Sequence, residues 1–430
     1  MSSERAADWL EAGEALRRML DGVRPLTPET RSLLDARGAV LAEDIAAAVD
    51  LPPWDNSAMD GFAARADDVR GASAERPVVL RVVDDVPAGA FPARAIGAGD
   101  AARVMTGAPV SPGADTVVRV EHTDGGAEIG TPRGRVAIVN DADAGKNVRP
   151  RGEDVRAGDV VLRAGTVLRP AEVAVAAALG RASLSVVRRP VVAVLASGDE
   201  LVEVEEYAEV LAGRRIVSSN SHALAAQLAE IGVEARVLGI ARDTPESLRA
   251  RLEEARGCDA LVTTAGISVG EHDHVRAVLE AMDTRVEFWR VRVRPGSAMA
   301  FGHVGALGGI PWFGLPGNPV STMVTFELFV RPALLRMRGR TAVHLPTVHA
   351  VLRDGFAAKG GLTVFPRVRL RRTDDGGYEA VLTGSQSSSV ATSMALADAL
   401  AIVPPGGVPA GARVRAVVLG GAPPVAEPPF

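Results

Sequence analysis

Hydrophobic positions change period several times along these 430 residues, and the changes divide the chain. Between Trp9 and Leu20 the apolar residues Leu10, Ala15, Leu16, Met19 and Leu20 form one stripe, which predicts an amphipathic helix. A second helix is predicted over about Glu29 to Leu41, with Thr27 as its cap and Pro28 at its first position. From about Arg76 to Gly165 the pattern shifts to short Val-rich runs, PVVLRVV, ADTVVRVE, RVAIVN and GDVVLRAG, broken by Gly, Pro and Asp. Such runs predict a small β region. Pro170 then opens a further helix that continues to Leu179.

Between Arg189 and about Pro332 the apolar strands PVVAVLAS, ARVLGIAR, DALVTTAG and IPWFGLPG alternate with helical stretches. Those stretches are Asn220 to Ile231, Pro245 to Ala255, His274 to Met282 and Val320 to Leu335. The alternation predicts right-handed βαβ units and a mostly parallel sheet covered on both faces. Ligands of such sheets bind beyond the carboxyl ends of the strands. After about Thr341 the runs HAVLRDGF, TVFPRVRLRR, YEAVLTG, ALAIVPPG and ARVRAVVL predict a small β barrel or sandwich.

The length exceeds what one compact core serves, so two to four domains are expected. Aromatic residues are only 4% of the chain, so the core must be built mainly from Ala, Val and Leu. A net charge of -5 gives no support to nucleic-acid binding, yet leaves room for a local cationic pocket. The single cysteine, Cys258, excludes an intramolecular disulfide framework and a cysteine-rich metal site. Met1 to Asp21 lacks the long apolar stretch of a signal peptide, and no run reaches the roughly 18 apolar residues of a membrane span. A cytoplasmic protein with no membrane partner is expected.

Candidate chemistry lies in the loops. After the first parallel strand comes ASGDEL, where Ser197, Gly198, Asp199 and Glu200 combine a glycine that admits an anion with carboxylates suited to a divalent cation. TTAGISVGEHDH follows a later strand; Gly266, Ser268 and Gly270 could cradle a phosphate at the next helix, and Asp273 could hold Mg²⁺. In FGLPGNPVS, Pro316 and Pro319 fix φ around Gly317, and Asn318 faces a helix start. Arg290, Arg292 and Arg294 alternate in WRVRVRPGSAMAFG, so one strand would project all three from one face. Arg367 in FPRVRL and the serines 385–389 would suit a tetrahedral oxyanion. Taken singly, each segment is as readily a solvated turn, a helix cap or an edge strand. No GxxxxGK[ST] loop, no GxGxxG after a strand and no Ser-His-Asp arrangement is found.

In order, LPPWDNSAMDGFA, MTGA, RPRGED, SGDEL, GISVGEHD, RPGSAMAFG, GLPGNPVS, FPR and the serine-rich tail resemble the molybdopterin molybdenumtransferase family, which includes MoeA, plant Cnx E domains and the gephyrin E domain. The resemblance covers essentially the whole chain. It implies a multidomain α/β plus β fold: a linking domain (1–48 with 155–188), a β-rich lobe (49–154), a parallel-sheet α/β molybdopterin-binding domain (189–331) and a C-terminal small β barrel (332–430). It also implies an elongated homodimer whose cleft combines the α/β and barrel domains of one protomer with the lobe of its partner.

By that resemblance Asp60, Thr106 and Asp154 match residues of the lobe needed for activity. Glu200, Asp243 and Asp273 match acidic residues around a nucleotide and its Mg²⁺. Arg367 and Ser388 match positions that contact molybdate or lie beside it, with Arg294 and Ser297 nearby; Arg290 is expected as a further substrate-binding residue, and Pro316, Asn318 and Pro319 fall on the rigid turn. The implied partners are adenylyl-molybdopterin, molybdate and the upstream molybdopterin adenylyltransferase. The chain departs from the family at several places. Arg294-Pro295-Gly296-Ser297-Ala298 stands where Lys-Pro-Gly-Lys-Pro is common, Arg290 replaces a Lys, and Ser218 and Ala265 replace Asp and Gly. A non-catalytic scaffold and a tungstate-handling paralogue are the other readings of the same resemblance.

Overall fold

The computed structural model describes residues 9–124, 134–266, 274–358 and 360–420. By its internal contacts the chain forms two units, residues 1–42, 165–169 and 183–430 in one, and 43–164 and 170–182 in the other.

The larger unit is organised by a six-stranded sheet in the order Glu234–Ala241, Val191–Ser197, Ala260–Thr264, Ile310–Leu315, Ala298–Val304, Thr284–Arg290. The first four strands are parallel, and the last two pairings are antiparallel. Only residues 305–309 separate the Ala298–Val304 and Ile310–Leu315 strands, too few for a crossover, so their pairing must be antiparallel. Alternate residues feed two hydrophobic layers. Val192, Val194, Val262, Phe313 and Phe301 pack with Leu224 and Leu228 of the Ser219–Glu230 helix, and with Ala15 and Met19 of the Ala12–Asp21 helix. Ala193, Leu195, Leu261 and Trp312 face the opposite layer, with Leu248 and Leu252 of Pro245–Glu253 and Val275 and Leu279 of His274–Ala281. The period-two alternation is what places a helical layer on both faces.

The last helical stretch is α-helical over Pro319–Thr325, widens to a π-helix over Phe326–Val330, and resumes as Arg331–Met337. Pro332, which has no N–H to donate, follows the wide turn directly. Beyond it, five strands close a barrel in the order Thr347–Leu352, Tyr378–Leu382, Arg367–Arg372, Ala399–Ile402, Ala412–Val418. Its interior is lined by small residues, among them Ala350, Val368, Ala380, Ala399, Ala401 and Ala416. Val293–Arg294 pairs in parallel with Thr363–Val364 and so ties the α/β part to the barrel.

The smaller unit holds a five-stranded sheet in the order Thr116–Arg119, Gly61–Ala64, Asp100–Val104, Val78–Val86, Arg135–Ile138. Phe62, Leu80, Val118 and Ile138 are buried in its core. A Cβ on Gly61 would run into the Val118 carbonyl, so the strand crossing there requires glycine. The Pro170–Ala178 helix belongs to this unit. Among the described residues no helix is long and apolar enough to cross a membrane.

Two local expectations are corrected. Residues 29–41 are not a helix: Pro28–Ser32 is a strand, antiparallel to Ser183–Val187, and Gly38 takes a left-handed φ of 76° that would break any helix. The deciding partner lies far along the chain, where local periodicity carries no sign of it. Arg290, Arg292 and Arg294 do not share a strand face either. The sheet strand ends at Arg290, Val293–Arg294 pairs elsewhere, and Arg292 turns back to the Trp9 carbonyl and Glu11.

Ala265, directly after the Ala260–Thr264 strand, is one of the few non-glycine residues with positive φ, at 69°. A left-handed alanine costs about 1 kcal/mol relative to glycine. Ala265→Gly should therefore raise the melting temperature by about 2–4 °C in calorimetry. An unchanged or lower Tm would contradict the strain.

Candidate active site

Three loops at the carboxyl ends of the parallel strands define one edge of the larger unit. In the first, Ser197 is buried at the end of its strand, and Gly198 follows with φ 150°, its missing side chain leaving room for the Glu200 carboxylate. Asp199 and Asp243 lock this loop to its neighbour reciprocally, each backbone N–H donating to the other's carboxylate at 3.3 Å. Glu200 and Asp243 are exposed. In the second loop Gly266 has φ 71°, and a Cβ there would meet the Val275 side chain. Ser268, Gly270 and Asp273 lie outside the described residues.

The third loop is braced from both sides. Thr322 donates its hydroxyl to the Pro316 carbonyl at 2.5 Å and lies 3.1 Å from that of Asn318, while the Asn220 amide donates to the Gly317 carbonyl at 2.7 Å. Val320 N–H donates to the Ser388 carbonyl at 3.0 Å, which fastens the turn to the barrel's serine-rich segment. Pro316, Gly317, Asn318 and Pro319 thereby become a rigid wall between two cavities. One, of about 490 Å³, is lined by Ser197, Glu200, Ser218, Asn220, Asn318 and Pro319 among others. The other, of about 790 Å³, lies between sheet and barrel and is lined by Arg294, Ser297, Pro316, Asn318, Arg367 and Ser388 among others. Asn318 borders both.

The larger cleft is cationic. Arg367 is 2% exposed. Its Nε donates to Ser393 Oγ at 3.1 Å, and its Nη2 to the Ser387 carbonyl at 3.1 Å and the Ser385 carbonyl at 3.4 Å. All these acceptors are neutral, and burial pushes the guanidinium down to about 10. Arg294 adds an exposed charge, and no carboxylate is among the described residues lining this cleft. Two guanidinium groups and the hydroxyls of Ser297, Ser321, Ser387 and Ser388, with no carboxylate among the described lining residues, suit a tetrahedral oxyanion. The narrower cavity is lined by Glu200, Ser197 and Thr264 among others, hard oxygen donors of the kind a divalent cation takes. Among the described residues no group of three or more His, Cys, Asp or Glu side chains is placed to hold a metal.

Arg290 is not brought to either cavity: its guanidinium stacks over the Trp9 ring, 5.1 Å from the centroid. Asp60, Thr106 and Asp154 belong to the smaller unit. The Asp60 carboxylate accepts from Thr106 N–H at 2.7 Å and from the Thr106 hydroxyl at 2.8 Å, and these two bonds hold its pKa below the usual carboxylate range. Asp154 N–H donates to the Leu51 carbonyl at 3.0 Å, at the start of the loop that carries Asp60.

Several cleft residues escaped sequence reasoning. Gln386 clamps the Arg367 backbone, accepting its N–H at 2.8 Å and donating to its carbonyl at 3.2 Å, and Ser393 orients the guanidinium. Phe356, Leu362 and Val364 also line the cleft; Phe356 and Val364 fall in runs read only as strands, and Leu362 carries no motif. Asn220, at a helix start after a strand, had a readable signal in its residue type.

Comparison with known proteins decides the family. Three family models match in order: the MoeA N-terminal region (domain I and II) at residues 10–180, the "Probable molybdopterin binding domain" at 193–336, and the MoeA C-terminal region (domain IV) at 349–419. The chain belongs to the molybdopterin molybdenumtransferase family. Molybdopterin molybdenumtransferase 2 of Mycobacterium tuberculosis is 39% identical over 354 residues, 81% of this chain and 84% of that protein. Molybdopterin molybdenumtransferase of Bacillus subtilis is 36% identical over 409 residues, 94% of this chain and 93% of that one. The crystal structure of the molybdopterin biosynthesis moeA protein from Pyrococcus horikoshii OT3 superposes with a TM-score of 0.79 at 29% identity, covering 96% of this chain and 100% of that chain. The family assignment makes this chain a transferase of molybdenum cofactor biosynthesis.

Asp60→Asn keeps the shape but removes the charge from the two Thr106 bonds, and should destabilise the smaller unit by about 1 kcal/mol at pH 7. Because the folded-state pKa is lowered, this contribution is present above the unfolded value of about 3.9 and is lost as pH falls through the folded value. Denaturant melts at neutral and strongly acidic pH check this. A gap that persists in acid would contradict the assignment.

Proposed function

We propose that this chain inserts molybdate into adenylyl-molybdopterin and releases AMP. The observation that carries the reading is the pair of cavities divided by the Pro316–Pro319 wall: a cationic cleft with no carboxylate among its described lining residues beside a polar cavity at the strand ends. The pterin nucleotide lies along the strand ends, its anhydride near Glu200 and Asp243, and molybdate docks with Arg367, Arg294, Ser297 and Ser388. Mg²⁺ would be held by Glu200 and Asp243, with Asp273 as a further donor, and would neutralise the anhydride; one or two carboxylates plus substrate phosphates is its ordinary coordination.

The protein's own contribution is positioning and charge neutralisation. Arg367 has Nε and Nη2 already satisfied by the barrel, which leaves Nη1 as its donor to the oxyanion. The Asn318 wall keeps oxyanion and anhydride adjacent while preventing either from sliding into the other's place. Cleavage of the phosphoanhydride supplies the driving force as the dithiolene sulfurs replace oxygens on molybdenum, so no protein nucleophile is needed. The reading also takes the chain as a homodimer, with the lobe that carries Asp60, Thr106 and Asp154 completing the partner protomer's cleft.

Charge is the lever that separates the two cavities experimentally. Arg367→Lys, which cannot reproduce the planar fork, should raise the molybdate KM about tenfold, with a smaller change in kcat. Ser297→Lys adds a cation to the cleft and should lower that KM several-fold at low salt. Glu200→Ala and Asp243→Ala should still bind the pterin nucleotide but release AMP slowly on molybdate addition. Undiminished AMP release in both acidic variants, or a molybdate KM indifferent to Arg367→Lys, would remove the proposal.

A further inference from the structure

A second cationic recess, remote in the chain from the cleft segments, is lined by Thr30, Arg31, Ser32, Asp35, Arg37 and Arg189 among others, with a volume of about 560 Å³. Its floor is set by the strand pairing of Pro28–Ser32 with Ser183–Val187. Behind it stands Arg338, 5% exposed, which donates to the carbonyls of Ile231 and Gly38 and is pushed down to about 10 by burial and the charges of Arg340, Arg189 and Arg31. Arg340 has a buried Nε without a hydrogen-bond partner.

The charges do not balance. Glu29 pairs with Arg31, and Asp35 takes its hydrogen bond from Ser32. Arg37 and Arg189 are exposed, and neither has an ion pair among the described residues. Five arginines thus stand with two carboxylates, and Arg37 and Arg189 line the recess with Thr30, the Ser32 hydroxyl being taken up by Asp35. Like charges gathered this closely destabilise the fold unless an anion joins them. Guanidinium forks with a neighbouring hydroxyl match a tetrahedral oxyanion of high charge.

We propose that this recess binds a small multivalent oxyanion of the phosphate class, independently of the molybdate cleft. Arg37 and Arg189 supply the direct contacts, and Arg338 and Arg340 the fixed positive field behind them. The site does not depend on the catalytic reading, because none of its residues lines the cleft.

Inorganic pyrophosphate is the probe, titrated into the full-length protein at low ionic strength by calorimetry, alongside thermal melts. The expected result is a saturable binding event that persists in Arg294→Ala and that Arg37→Ala/Arg189→Ala weakens at least tenfold. Arg189→Glu should raise the Tm of the ligand-free protein by relieving repulsion, and should abolish the pyrophosphate-dependent rise in Tm. Equal pyrophosphate affinity in wild type and the Arg37→Ala/Arg189→Ala protein would overturn the proposal. So would a binding event lost only with Arg294→Ala, which would assign it to the cleft.

Discussion

The candidate site depends on one buried cation. Arg367 lies in the barrel wall with neutral oxygens around its Nε and Nη2 and no carboxylate partner among the described residues. A guanidinium so placed is costly to desolvate, and pairing it with Asp or Glu would lower that cost while extinguishing the field it projects into the cleft. The surrounding residues follow from that constraint. Gln386 pins the backbone on both sides of the arginine, Ser393 fixes the plane of the fork, and the serine-rich segment turns its carbonyls inward to hold Nη2. The same segment reaches the α/β part through the bond from Val320 N–H to the Ser388 carbonyl. The oxyanion receptor and the wall beside it are therefore positioned together.

The α/β architecture was legible because its signals are local and strong. Apolar strands such as PVVAVLAS and DALVTTAG are buried on both faces, and the helices between them carry their own periodicity. The barrel was legible from its short apolar runs broken by turns, although its strands are not buried on both faces. What sequence could not convey was pairing across distance. Pro28–Ser32 reads as the start of a helix until its partner, Ser183–Val187, is known, and the alternating arginines read as one strand until Val293–Arg294 is seen to leave the sheet.

The site was legible in its motifs and obscure in its supports. SGDEL, GLPGNPVS and FPR lie at strand ends and border the two cavities, although each alone reads as readily as a turn, a cap or an edge strand. Phe356, Leu362 and Ser393 carry no such mark; they are ordinary residues whose importance is their place around Arg367 and the cleft. Arg290 teaches the converse. It stood in a suggestive position yet spends its charge on the Trp9 ring, a residue at the far end of the sequence that precedes the Ala12–Asp21 helix. Ser297 also matters here, because with a neutral residue at that position the positive field of the cleft falls to Arg294 and Arg367.

The most direct test of this account is anomalous diffraction at the molybdenum edge from crystals grown with molybdate. The account predicts a peak in the cleft between sheet and barrel, within hydrogen-bond reach of Arg367 Nη1 and Ser388. A peak found only elsewhere, with this cleft empty at saturating molybdate, would contradict it.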